Sequence, residues 1–135
     1  MNEDTHSSGY LLIFRGSEWE KGLSPQQLQA VVTKWYDWFG RLMKEGTALA
    51  GNPLERTGKV VSGKKGRTVA DGPFAESKEA IGGYFLLNVE NLDAAVKIAQ
   101  ECPALEYGME VEVRPIASMC TTAQKVNEML AQTVA

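Results

Sequence analysis

Ser24-Pro25-Gln26-Gln27 opens the segment of this chain whose conformation its residues dictate most strongly. A serine N-cap accepts from a backbone N–H three residues on. Proline at the first helical position gives up only a donor that is already orphaned, and a glutamine at the third position can reach back to the cap. Behind this start Leu28, Val31, Val32, Trp35, Trp38, Phe39 and Leu42 recur at three- and four-residue steps. That spacing collects them along one stripe of an α-helix ending near Gly46. So wide an apolar stripe has to lie on something, and the rest of the chain offers strands.

Tyr10-Leu11-Leu12-Ile13-Phe14 reads as a short buried strand closed by Arg15-Gly16. After the helix come three β-type pieces, Thr47 to Ala50, Gly58 to Ser62 and Arg67 to Ala70. The last two are joined as a hairpin across Gly63-Lys64-Lys65-Gly66, where glycine at both ends admits positive φ. Asp71-Gly72-Pro73-Phe74 is expected to leave that hairpin as a turn and to end its pairing. Ile81 to Val89 reads as a central strand whose Gly82-Gly83 permits a bulge or the close approach of another group. A second helix is expected behind an Asn91 cap, with Leu92, Ala95, Val96 and Ala99 inward and Pro103 as its stop.

Met109 to Ile116 alternates, with Met109, Val111 and Val113 on one face and Glu110, Glu112 and Arg114 on the other. Helices are therefore expected on one face of the sheet and a pocket or wet interface on its polar face. Beyond Ala117 a terminal helix is expected, with Thr121 and Gln124 at capping-box spacing and Ala123, Val126, Leu130 and Val134 on one side. The order strand-helix-strand, strand-helix-strand is that of a ferredoxin-like α+β fold, here with an inserted β-hairpin and a C-terminal helix.

A chain of 135 residues can bury roughly two-thirds of its unfolded surface, enough for a core without metal or disulfide staples. We divide it into a flexible tail over residues 1–8, a domain over 9–117 and a terminal helix over 118–135 that packs on the domain or on a dimer partner. The formal net charge is only −3, which points to no strongly charged partner. Cys102 and Cys120 lie 18 positions apart without CxxC spacing, and the polar start Met1 to Ser8 lacks a signal-peptide pattern. No stretch has the roughly 20 apolar residues of a membrane helix. A cytoplasmic protein with reduced thiols is expected, with no membrane partner and no cofactor.

Gly58 to Gly66, Asp71-Gly72-Pro73-Phe74-Ala75-Glu76-Ser77-Lys78-Glu79 and Gly82-Gly83-Tyr84 together resemble the DGPF branch of the YCII-related family. The resemblance continues through Asp93-Ala94-Ala95 and Cys102-Pro103 to Val111-Glu112-Val113-Arg114-Pro115-Ile116, and the terminal helix lies outside it. It implies a bacterial, ferredoxin-like subunit of the dimeric α+β barrel type, paired sheet against sheet with a second copy, and a small-molecule cleft beside the DGPF turn. It also implies relatives encoded beside extracytoplasmic-function sigma factors and a relative that dehydrochlorinates a chlorinated hydroxyquinol. The wider family carries a His-Asp pair proposed as catalytic. The only histidine here is His6, in the tail, so the chain departs from that pattern.

Asp71 is the first candidate site residue, a carboxylate able to take a proton or a substrate hydrogen bond if a cleft raises its pKa. Alternatively its side chain caps the turn by accepting from nearby backbone N–H groups. Glu112 and Arg114 share a strand face and suit an anionic or hydroxylated ligand, or else pair with each other or with a partner subunit. Tyr84 can donate a phenolic hydrogen bond into the same cleft, or serve as a core or interface tyrosine.

The basic run Arg56, Lys59, Lys64, Lys65, Arg67 is read as a solvated hairpin, since no nucleic-acid motif accompanies it. Glu76, Lys78 and Glu79 are read as local surface pairs. Trp35, Trp38 and Phe39 are read as core because of their helical spacing, with an aromatic pocket as the alternative. With one histidine and no ligand cluster no metal is expected, and neither cysteine has a histidine beside it to activate a thiol. Two functions compete: proton-transfer or elimination chemistry on a small metabolite, with Asp71 as base and Arg114 or Tyr84 orienting it, and a non-catalytic ligand-binding or accessory module linked to sigma-factor regulation.

Overall fold

The computed structural model describes residues 9–16, 18–72 and 80–134. In chain order these form β1 (Gly9–Arg15), α1 (Pro25–Lys44), β2 (Ala48–Pro53), β3 (Lys59–Ser62), β4 (Thr68–Asp71), β5 (Ile81–Asn88), α2 (Leu92–Ala99), β6 (Glu110–Pro115) and α3 (Thr121–Val134). The main sheet runs β2-β5-β1-β6 with every neighbouring pair antiparallel, and β3-β4 is a separate ribbon. With the ribbon set aside, the order is β-α-β-β-α-β with the first and third strands central. The fold is ferredoxin-like α+β with an inserted hairpin and a C-terminal helix, as the sequence leads one to expect.

α1 begins as its residues require. The Gln27 N–H donates to Ser24 Oγ at 3.1 Å and the Ser24 N–H to Gln27 Oε1 at 2.8 Å, a complete capping box worth about 1 kcal/mol. Val31, Trp38 and Leu42 of its stripe are buried, facing Leu12 and Phe14 of β1 and Phe85 and Leu87 of β5 across the core. Phe14, Trp35, Trp38, Phe39 and Phe85 form a continuous ring cluster, largely edge-to-face, with neighbouring centroids such as Phe14 and Phe85 at 4.8 Å. α2 contributes Ala95 and Ala99, small side chains that let the helix lie close to the sheet.

Both expected uses of Gly82-Gly83 are realised. The β1–β5 register passes from Phe14↔Gly83 to Arg15↔Ile81, leaving Gly82 as the extra residue of a bulge. A Cβ on Gly83 would stand 2.8 Å from the Asn52 carbonyl oxygen of β2. The hairpin turn has its positive φ angles at Gly63 and Gly66, and also at Lys65.

Three local expectations need correction. Asp71 is the last paired residue of β4, opposite Lys59, and the Gly72 N–H still bonds the Gly58 carbonyl at 2.7 Å. The pairing therefore runs into the first half of the stretch expected to end it, because Gly72 keeps its donor; Pro73, the residue that lacks one, lies with Phe74 outside the described residues. Leu92 is exposed, since as the first helical residue it precedes the turn of α2 that meets the sheet. Thr121 stands inside α3, and the Gln124 amide donates to the Met119 carbonyl in place of a box with Thr121. The pairs expected at Glu76, Lys78 and Glu79, the tail and the Val134 side chain also lie outside the described residues.

One half-buried polar contact ties α1 to the turn after α2. The indole N–H of Trp38, a residue only 5% exposed, donates to Glu101 Oε1 at 2.9 Å, and Arg41 donates to the same oxygen at 2.8 Å. Glu101→Ala leaves the indole N–H without an acceptor and is expected to cost about 1–3 kcal/mol in urea unfolding. Glu101→Gln, which keeps an acceptor oxygen, is expected to cost less; equal losses would refute the role given to this bond.

Candidate functional site

Alternation along the strands divides the sheet into two faces. Leu12, Phe14, Phe85 and Leu87 point to the helices, so Leu11, Ile13, Arg15, Tyr84 and Leu86 point the other way. Register then brings three of the four candidate residues onto that open face. Asn52 stands opposite Tyr84, Tyr84 opposite Ile13, and Ile13 opposite Glu112, a single row across four strands, with Arg114 one row along opposite Leu11. Asn52 Nδ2 donates to the Tyr84 hydroxyl at 3.2 Å. Arg15 donates to Glu112 Oε1 at 2.7 Å and Arg114 to Glu112 Oε2 at 3.2 Å. The bond from Arg15, more than that from Arg114, holds the Glu112 carboxyl below its ordinary pKa. Glu112 and Arg114 thus pair with each other, and Arg15, which sequence reading did not single out, joins them.

Asp71 is elsewhere. Its side chain is 74% exposed at the end of the β3–β4 ribbon and bonds Lys59 Nζ across the two strands. Lys59 and Arg56, two cations of the basic run, are each held by a carboxylate of their own chain, Asp71 and Glu20.

Among the described residues a concave feature lies on the helix side of the sheet, a cavity of about 370 Å³. One wall is α1, through Val31, Val32, Trp35, Tyr36 and Phe39. The floor is Phe14 and Phe85, with Gly82 and Gly83 of β5. Trp19 and Glu20, in a short 3₁₀ turn after β1, and residues 51–56 close the sides. Trp19, Trp35 and Phe39 are half-buried, so the upper part of the α1 stripe is core on one flank and cavity wall on the other. Arg56 donates to Glu20 Oε2 at 2.6 Å, joining the 3₁₀ turn to the β2–β3 connection within the wall. Gly51 makes the floor possible, since a Cβ there would fall 2.7 Å from Phe85 Cδ1 and 2.8 Å from Phe39 Cε1. Of the sequence-derived candidates Tyr84 belongs to the β5 segment that borders this cavity, its side chain pointing to the open face, and Asp71, Glu112 and Arg114 do not border it.

Sequence reading favoured the core for Trp35 and Phe39, with an aromatic pocket as the alternative, and passed over Trp19, Glu20 and Gly51. Helical spacing gives the same signal for a side chain under another element and for one beside a gap. Neither thiol offers chemistry in the cavity. Cys102 is buried with its pKa pushed up to about 11 by desolvation, and Cys120, exposed at the start of α3, is lowered by the Ala123 and Thr122 backbone N–H groups. Among the described residues no group of three or more His, Cys, Asp or Glu side chains is placed to hold a metal, and no helix is long and apolar enough to cross a membrane.

A family model for the YCII-related domain matches residues 10–119. Among solved structures, a 5-chloro-2-hydroxyhydroquinone dehydrochlorinase from Burkholderia phenoliruptrix, in complex with 2,5-dihydroxybenzoquinone, aligns over 80% of this chain and 93% of its own, at 15% identity and a TM-score of 0.41. A hydroxynitrile lyase from Passiflora edulis aligns over 85% and 98%, at 10% identity and 0.39. An Arabidopsis thaliana protein aligns over 84% and 98%, at 13% identity and 0.34. No protein of curated function matches the sequence.

Proposed function

The chain belongs to the YCII-related family, and on that footing we propose that it is a homodimeric small-molecule-binding protein of the bacterial cytoplasm whose ligand enters the cavity between α1 and the sheet. The observation that carries this reading is the cavity itself, about 370 Å³ walled by half-buried rings. That size and apolar lining suit a small metabolite, and the rings leave wet surface that a ligand would cover. The open sheet face, with Leu11, Ile13 and Leu86 at its centre and Arg15, Glu112 and Arg114 beside them, supports the second copy. Two free thiols suit a reducing compartment.

Proton transfer or elimination requires a base against the bound molecule. Asp71 is ion-paired to Lys59 outside the cavity wall, so the geometry favours binding over catalysis by that residue. In the regulatory form of this reading the same cavity senses the ligand.

Naphthalene, a flat neutral probe, tests the site. With Trp19 and Trp35 in the wall, it is expected to change indole emission saturably. Val32→Phe, at an exposed α1 position that lines the cavity, adds a ring to the space without disturbing the core and is expected to weaken the titration by about tenfold. A linear, unsaturable response, unchanged in the variant, would remove the cavity as a binding site.

A further inference from the structure

Resting on the reading of the cavity as a ligand site, we propose that its ligand is an organic cation, a quaternary or protonated amine carried on an apolar body. Trp19, Trp35, Tyr36 and Phe39 line the space together. Aromatic faces carry negative quadrupolar charge and attract a cation that has shed part of its water, tryptophan most strongly.

The charged residues of the wall point the same way. Among the described lining residues the charged side chains are Glu20, Glu55 and Arg56, two carboxylates against one guanidinium, a formal −1. Arg56 is already engaged by Glu20 at 2.6 Å. An anionic ligand seeking Arg56 would have to part that pair, and the same lining holds the two carboxylates Glu20 and Glu55. A neutral ligand gains burial alone. A cation gains burial, the ring faces and an acidic rim, and leaves the Glu20–Arg56 pair intact.

The test is a matched series read by indole emission on the full chain: benzyltrimethylammonium, its neutral carbon isostere neopentylbenzene, and phenylacetate, with naphthalene as the cavity control. The cation is expected to bind roughly tenfold more tightly than the isostere, and phenylacetate most weakly. Glu55→Gln is expected to narrow the cation's advantage by about twofold or more, as does added salt, because the rim is exposed. If naphthalene and neopentylbenzene bind but the ammonium binds no more tightly than its isostere, or phenylacetate binds best, the cation assignment is overturned and the cavity stands. If none of the four saturates, the cavity reading falls and this inference with it.

Discussion

Gly83→Ala is expected to lower stability by about 3 kcal/mol, while Gly82→Ala, one residue away, changes it by no more than about 1 kcal/mol. The difference lies in what each new methyl group meets. At Gly83 a Cβ would stand 2.8 Å from the Asn52 carbonyl oxygen and 3.1 Å from Pro53 Cα, both backbone atoms of β2, so no side chain can swing away. The strand itself must move, and the pairs Asn52↔Tyr84 and Pro53↔Gly83 at that end of the sheet are the ones to open. At Gly82 the nearest atom is the Phe14 carbonyl oxygen at 3.9 Å, ordinary contact distance. Because residues 52–56 also wall the cavity, Gly83→Ala should weaken naphthalene binding as well. Urea unfolding of the two variants side by side decides the matter: equal losses would show that the approach of β2 does not set the requirement for glycine at residue 83.

Those adjacent glycines also show what could be read from the residues and what could not. Gly-Gly inside a β-rich run signals a bulge or a close approach, and the chain has both. Ser24, Gln27 and Asn91 announced their caps because capping is local, settled within four residues by side chains reaching their own backbone. Alternation in β6 likewise separated the core face from the face bearing Glu112 and Arg114, whereas β1, a continuous apolar run read as buried, buries only its alternate residues Tyr10, Leu12 and Phe14. The cavity was not legible because it depends on three segments distant in sequence, the 3₁₀ turn with Trp19 and Glu20, residues 51–56, and α1. Nothing in the spacing of Trp35 and Phe39 tells whether the next layer is protein or space. The surroundings of Asp71 were hidden for a related reason: the Asp-Gly-Pro sequence marks where a strand is about to end, whereas the partner of its carboxylate, Lys59, is set by the hairpin register. In α3 the periodicity was plain but its cover was not, for Val126 and Leu130 remain 46% and 58% exposed within the chain.

Ile13→Lys is expected to turn the proposed dimer, at twice the 14.8 kDa chain mass, into a monomer at micromolar concentration, with association weakened by about a hundredfold or more. Ile13 sits mid-row on the open face between Tyr84 and Glu112, where a two-fold partner packing sheet on sheet would desolvate it. A lysine there can reach the neighbouring Glu112 in the separate chain, so folding is retained. In a sheet-on-sheet dimer the same ammonium would be stripped of water beside Arg15 and Arg114, which already hold that carboxylate. The variant thus separates assembly from folding: circular dichroism should match the parent while sedimentation does not. Leu130→Asp gives the share of α3, whose apolar side chains Val126 and Leu130 are exposed among the described residues. Loss of thermal stability is expected with it, and a chain cut after Ala117 that melts and sediments as the full chain does would show that the helix packs on nothing. A parent chain that sediments at 14.8 kDa with its sheet intact would remove the second copy altogether, leaving the cavity as the property of a single chain.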